Sequence, residues 1–271
     1  PRRRWSWAWK APRARRPANP DMSTGNEETF ISHLVELRDR LLRAFGAVLL
    51  VFICLMPFAG QIYDLLAQPM IHTLPEGTKM IATGVVTPFF VPVKVTLMVA
   101  FVFALPVVLY QAWAFVAPGL YAHEKKLVLP LVVASTVLFI LGMAFCYFFV
   151  FNTVFKFIAE FAPKSITPAP DIEQYLAFVM TMFVAFGVTF EVPVVVIVLA
   201  RFGIVPLEKM REARPYVIVG AFIIAAVVTP PDVMSQILLA VPLCLLYELG
   251  LIVARFVKPR TAETAPESST G

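Results

Sequence analysis

A chain of 271 residues with 59% hydrophobic and only 15% charged residues departs from soluble globular proteins, in which about 25% of residues are charged, and belongs in a bilayer. Its net charge of +5 comes from segments between apolar stretches, where anionic headgroups attract basic residues, and this argues against nucleic acid as a partner. Cys54, Cys146 and Cys244 lie inside apolar segments without metal-ligand spacing, which argues against both a disulfide framework and a zinc site.

In chain order, Pro1–Pro20 comes first, with seven Lys/Arg, three Trp, four Pro and no apolar run. Its paired Arg15-Arg16 is followed by Pro17-Ala-Asn-Pro20 where a cleavable export signal needs an apolar region, so this stretch reads as a tail. Residues 1–29 are taken as a basic, disordered extension, 30–256 as one membrane domain, and 257–271 as a disordered tail rich in Ser, Thr, Glu and Pro.

Six apolar segments follow: Ala44–Gly60, Val95–Ala117, Leu127–Phe151, Tyr175–Ala200, Tyr216–Thr229 and Ser235–Ala254. This pattern predicts an all-α membrane protein of six transmembrane helices. If Leu41 starts on the cytoplasmic side, 19 of the 23 basic residues fall on that side, leaving Lys79, Lys94, Lys156 and Lys164 opposite. Both termini are then cytoplasmic by the positive-inside rule. At about 1.5 Å per residue the fifth segment covers about 21 Å, short of a hydrocarbon core of roughly 30 Å. The sixth is expected to fall short as well, because Glu248 draws its end toward water, and local thinning of the bilayer would accommodate both.

The loops Gln61–Pro92 and Asn152–Gln174 are long enough to form a cap of short helices. In the first, an apolar helical period runs from Ile62 and ends near Pro69. Pro88 and Pro92 stand at the start of the second span, and Asp171 and Glu173 at the start of the fourth, where carboxylates suit the helix dipole. The two halves share no repeat, against a transporter of inverted repeats. His-Glu-x-x-His, Gly-x-Ser-x-Gly and phosphate-loop motifs are absent, against an intramembrane enzyme and any nucleotide or metal cofactor.

Chemistry is concentrated in acids at membrane edges and depth. Glu36, in His33-Leu-Val-Glu-Leu-Arg, and Glu124, in His123-Glu-Lys-Lys, share one rim and could each accept a guanidinium fork. Alone, Glu36 can pair with Arg40 at i,i+4 and Glu124 can cap the third span. Glu191 lies ten residues before Arg201, near the bilayer midplane, where an ionisable group costs ~2.5–3.5 kcal/mol and marks a function or polar cavity. Pro193 frees the carbonyl of Thr189 and kinks the helix there. Thr229 and Gln236, flanking Pro230-Pro-Asp232, give a weaker signal of the same kind.

The stretches His33-Leu-Val-Glu-Leu-Arg, Met80-Ile-Ala-Thr, Pro88-Phe-Phe, Tyr110-Gln-Ala-Trp-Ala-Phe-Val-Ala-Pro-Gly-Leu-Tyr, Phe186-Gly-Val-Thr-Phe-Glu-Val-Pro, Arg214-Pro-Tyr and Thr229-Pro-Pro-Asp together resemble the TatC family, the multispanning core of the twin-arginine translocase. The resemblance covers about Phe30 to Phe256. It implies a glove-shaped, six-helix protein of the bacterial cytoplasmic membrane that recognises Arg-Arg signal peptides and exports folded proteins. Its implied partners are single-span TatA and TatB proteins and further copies of itself, with the protonmotive force as driver and no cofactor. Carried over residue by residue, it implies twin-arginine recognition by Glu36 and Glu124 with Arg38 and Phe115 beside them. The intramembrane polar and partner site falls on Glu191, Thr229 and Gln236, and the far side of the membrane receives Pro69 and Asp232. The competing class is an ion-coupled small-solute transporter that uses Glu191.

Overall fold

The computed structural model describes residues 21–72, 80–116, 125–161, 163, 169–229 and 232–256, and helices make up nearly all of it. Helix α1 (Asp21–Leu55) turns through a tight 3₁₀ step at Met56–Phe58 into α2 (Ala59–Ile71). The step falls at Pro57, whose ring cannot continue an α-helical ladder. Helix α3 covers Thr87–Val116, and α4 (Lys125–Phe145) runs on through a π-turn at Cys146–Val150 into α5 (Phe151–Phe161). Then come α6 (Ile172–Phe190), α7 (Val192–Arg201), the short α8 (Leu207–Glu212), α9 (Arg214–Val228) and α10 (Val233–Phe256). Among the described residues the one β-type pairing is an isolated bridge between Ile81 and Asp171.

Five stretches are long and apolar enough to cross a membrane: His33–Ile71, Thr87–Phe115, Val128–Phe161, Ile172–Arg201 and Val233–Phe256, with Arg214–Val228 as a shorter apolar helix. The chain is a multi-pass helical membrane protein. Its outer faces fit that solvent, since Leu50 is 65%, Phe103 67% and Val227 80% exposed, an apolar surface that water would not tolerate at this extent.

Three boundaries differ from those read in the sequence. Helix α1 begins at Asp21, inside the stretch assigned to the extension. The sixth span is not short: α10 has 24 residues, about 36 Å of helix, and Glu248 lies within it. Arg214 Nη2 donates to Glu248 Oε2 at 2.7 Å, so the carboxylate finds its partner on α9 and the helix has no need to end there. Among the six apolar stretches just named, only that of α9, with 15 residues and about 22 Å, is shorter than the hydrocarbon layer. Finally, α2 continues through Pro69 to Ile71.

Packing follows from glycines and aromatic rings. Helix α1 lies along α3, α4 along α6, and α10 along α7 and α9. A Cβ on Gly187 would collide with the Phe139 ring, and one on Gly142 would collide with the Phe186 carbonyl oxygen, so α4 and α6 pack closely at these two glycines. The main core gathers α3, the π-turn, α5 and α6 around Phe151, Phe183, Phe186, Val179 and Met182. Phe151 contacts the rings of Phe155, Phe178 and Phe183 at centroid distances of 5.7, 5.8 and 5.2 Å.

Basic residues sort to one rim. The middle of α1 carries Arg38, Arg40 and Arg43, the end of α7 Arg201, α8 Lys209 and Arg211, the start of α9 Arg214, and the end of α10 Arg255. At this rim Tyr247 Oη donates to the Met210 carbonyl at 2.7 Å, joining α10 to α8.

The opposite rim is held by a clasp. Asp171 caps α6, its Oδ1 accepting from the N–H groups of Glu173 (2.8 Å) and Gln174 (3.1 Å), while Oδ2 accepts from the Thr83 hydroxyl at 2.7 Å and its N–H at 3.1 Å. The backbone repeats the connection: Ile81 N–H donates to the Pro170 carbonyl and Ile172 N–H to the Ile81 carbonyl, at 3.0 and 2.9 Å. Lys94 adds an ion pair to Glu173 at 3.0 Å. Donation by Thr83, Gln174 and Glu173 holds the Asp171 carboxyl below its ordinary value of 3.8.

A depressed carboxyl pKa contributes stability that is fully present above the unfolded value and is lost as pH falls through the lower folded value. The clasp is therefore expected to loosen only below about pH 4. Hydrogen exchange of the Ile81, Thr83 and Ile172 amides, corrected for intrinsic rate, should accelerate there in the wild type. Asp171→Asn should exchange faster at neutral pH and show little further acid dependence.

Candidate functional site

Pro193 governs the centre of the site. Without an N–H it cannot bond the Thr189 carbonyl, and the helix breaks between α6 and α7 at Glu191. The Glu191 N–H donates to Val188, three residues back, at 3.0 Å, and the ladder restarts with Val195 N–H on the Glu191 carbonyl at 3.0 Å. This is the kink read from the sequence. Both Glu191 carboxyl oxygens are covered and make no well-formed hydrogen bond among the described residues. Among the described residues the Ser135 hydroxyl of α4 is the side-chain donor that reaches toward them, short of a well-formed bond. A covered, unsatisfied carboxyl inside a bundle is costly, and it differs from a group facing open groove.

At the basic rim, Glu36 is half-buried on α1 with Arg40 one turn on, whose Nε donates to Oε1 at 2.9 Å. The local pairing anticipated for this acid is formed, and both Arg40 donors fall on a single carboxylate oxygen. Arg38 turns instead to Asp39, with Nη2 2.9 Å from Oδ1, and both side chains are exposed. Phe115, at the end of α3, stacks on His33 of α1 with centroids 4.4 Å apart and an interplanar angle of 17°. The structure thus brings Glu36 and Phe115 to one place through the α1–α3 contact. Glu124 lies outside the described residues.

Thr229 ends α9: it is buried, and its Oγ1 donates to the Ala225 carbonyl at 2.8 Å. Gln236 of α10 donates through Nε2 to the Phe222 carbonyl of α9 at 3.3 Å. These two polar side chains satisfy backbone at a helix joint, as a tight turn demands. Asp232 precedes α10 and caps it, Oδ1 accepting from the Ser235 N–H at 2.6 Å. Glu191 stands apart from this pair, on the α6–α7 break, which α10 covers on its other side.

Pro69 is buried within α2, and a hydroxyl takes up the carbonyl that a proline there leaves without its helical donor. Its missing N–H leaves the Leu65 carbonyl, four residues back, without a helical donor. Tyr147 Oη donates to that carbonyl at 2.8 Å, and Tyr175 Oη donates to the next one, Leu66, at 2.9 Å. Neither tyrosine carries a motif that would reveal this from sequence. Trp113 and Ser135 were missed in the same way: Trp113 Nε1–H donates to Ser135 Oγ at 3.0 Å, tying α3 to α4. Among the described residues no group of His, Cys, Asp and Glu is placed to hold a metal ion.

A kinked, glycine-packed helical bundle with a basic rim, a capped far rim and one covered midplane acid defines a multi-pass membrane protein whose polar groups gather at helix ends and one break. Residues 32–242 match the family model described as Sec-independent protein translocase protein (TatC). The chain is 51% identical over 235 residues to the Sec-independent protein translocase protein TatC of Escherichia coli (strain K12), covering 87% of this chain and 91% of that one. It is 50% identical over 242 residues to the protein of the same name from Haemophilus influenzae, covering 89% and 94%. Among solved structures it resembles the crystal structure of the twin arginine translocase receptor TatC, with TM-score 0.73 and 39% identity, covering 83% of this chain and 99% of that chain. A second structure of that receptor, in DDM, aligns with TM-score 0.74 and 38% identity. The chain belongs to the TatC family, a family of protein translocase components rather than enzymes, and this leaves the solute-transporter alternative without support.

The proline compensation is directly testable. Tyr147→Phe should destabilise the protein by about 1 kcal/mol, the worth of one hydrogen bond. With Pro69→Ala already present, whose restored N–H serves Leu65, the same change should cost much less. A double-mutant cycle by unfolding in detergent measures this coupling, and equal costs in both backgrounds would deny it.

Proposed function

We propose that this chain is the multispanning receptor subunit of a bacterial twin-arginine translocase, which binds Arg-Arg signal peptides and supports export of folded proteins across the cytoplasmic membrane. The observation that carries this reading is the family match over residues 32–242 together with the likeness to solved twin arginine translocase receptors. The gathering of basic residues at one rim supports six spans with both termini in the cytoplasm. Partners are the single-span TatA- and TatB-type proteins and further copies of this chain, and the driving force is the protonmotive force.

Signal recognition takes place at the basic rim. Glu36 supplies one acceptor for a guanidinium, Glu124 the other, and the Phe115–His33 stack offers an apolar floor beside them. Arg38 shapes the rim's charge and is neutralised by Asp39. Glu36→Ala or Glu124→Ala should weaken binding of an Arg-Arg signal peptide in nanodiscs by about tenfold or more, equivalent to ~1.5–3 kcal/mol for a charge-assisted contact. Unchanged affinity in both variants would remove these acids from the site.

Glu191, Thr229 and Gln236 serve a different step, docking of a partner's transmembrane helix during transport. A polar residue on that helix would give the covered acid a hydrogen-bonding companion, a contact worth ~0.6–2 kcal/mol. Pro69 and Asp232 keep the far rim in shape. Glu191→Ala should insert and bind signal peptide almost normally, yet export folded cargo poorly, whereas Glu191→Gln should keep much of the activity. Export by the alanine variant at the wild-type rate would make the acid structural.

A further inference from the structure

The Glu191 carboxyl has a resident neighbour whose placement follows from helix register. Helices α4 and α6 run antiparallel in contact: Gly142 faces Phe186 and Phe190, and Gly187 faces the Phe139 ring. Moving one turn along each helix, from 139 to 135 and from 187 to 191, sets Ser135 opposite Glu191. Ser135 is fully buried. Trp113 Nε1–H donates to its Oγ at 3.0 Å, which fills an acceptor position and leaves the hydroxyl proton free to be aimed at another group.

The break itself cannot move aside. On the far side of it, a Cβ on Gly250 of α10 would stand 3.0 Å from the Pro193 Cα, so α10 already lies against the backbone. The carboxyl oxygens are covered, and no described group besides Ser135 is placed to donate to them. Trp113 also lies two residues before Phe115, whose ring stacks on His33. Half a turn of α3 therefore separates the recognition rim from the residue that orients Ser135.

We propose that Ser135, oriented by Trp113, is a positioning residue that holds the Glu191 carboxyl toward the bundle, so that any incoming donor must displace it. The holding role is a property of this chain alone. That a partner helix is what displaces it rests on the reading given under Proposed function.

Labelling by a hydrophobic carbodiimide tests the hold in nanodiscs containing this protein without any single-span partner. Modification at position 191, defined by its absence in Glu191→Gln, should proceed about three- to tenfold faster in Ser135→Ala than in wild type, the range expected from losing one hydrogen bond. Ser135→Thr, which keeps the hydroxyl, should react near the wild-type rate. Trp113→Phe should fall between the two. A wild-type rate in Ser135→Ala would overturn the proposal, and so would Ser135→Thr as fast as Ser135→Ala. In membranes with the single-span partners present, Ser135→Ala should also raise resting crosslinking between position 191 and the partner helix. Faster labelling without more crosslinking would keep the hold and refute partner docking at Glu191.

Discussion

Hydrocarbon gives helices no hydrophobic reason to associate, because lipid tails are as apolar as leucine, so this fold depends on places where helix backbones come within contact distance. The contact between α4 and α6 at Gly142, where the Phe186 carbonyl lies, and that between α10 and α7 at Gly250 are those places. Dispersion at such short range, with aromatic rings closing the gaps around Phe151, supplies what water expulsion supplies in a soluble core. Because both contacts flank the α6–α7 break, the same packing that holds the bundle together fixes where Glu191 can point.

The second constraint is that backbone polar groups in a bilayer have no water to turn to. Several irregular positions are met by a named donor or acceptor. Tyr147 and Tyr175 serve the carbonyls beside Pro69, Gln236 serves the Phe222 carbonyl at the α9–α10 joint, and Asp171 and Asp232 cap two of the helices that start at the far rim. Glu191 differs. Its backbone is satisfied through Val188 and Val195, while its carboxyl makes no well-formed hydrogen bond among the described residues.

Charge is divided between the rims in a way that suits recognition at one and rigidity at the other. At the basic rim, Arg40 occupies a single oxygen of Glu36, and Arg214 pairs with Glu248 to join α9 to α10. Both pairs are part-buried, and the first joins residues one turn apart on a single helix. At the far rim, Thr83, Lys94, Asp171 and Glu173 join the loop before α3 to the start of α6.

The sequence by itself determined the solvent, the order of spans, the kink at Pro193 and the short α9, because apolar run length, proline chemistry and the one-sided basic residues are local properties of a chain. It also singled out Glu36, Phe115, Glu191, Thr229, Gln236, Pro69 and Asp232, since acids at depth and prolines in apolar runs stand out residue by residue, and ordered motifs along the chain resembled the TatC family. What only the tertiary structure decided is who meets whom. Glu248 looked like the end of a helix until Arg214 was found across from it on α9, and α10 kept its full length. Pro69 looked like a stop until Tyr147, from a helix some eighty residues on, was seen to take up the freed carbonyl. Trp113 and Ser135 are ordinary residues in apolar helices, and only the antiparallel register of α4 against α6, with the α3–α4 contact that brings Trp113 to Ser135, sets them near Glu191. Partners across a bundle are fixed by packing, and packing leaves no periodic trace in the chain that makes it.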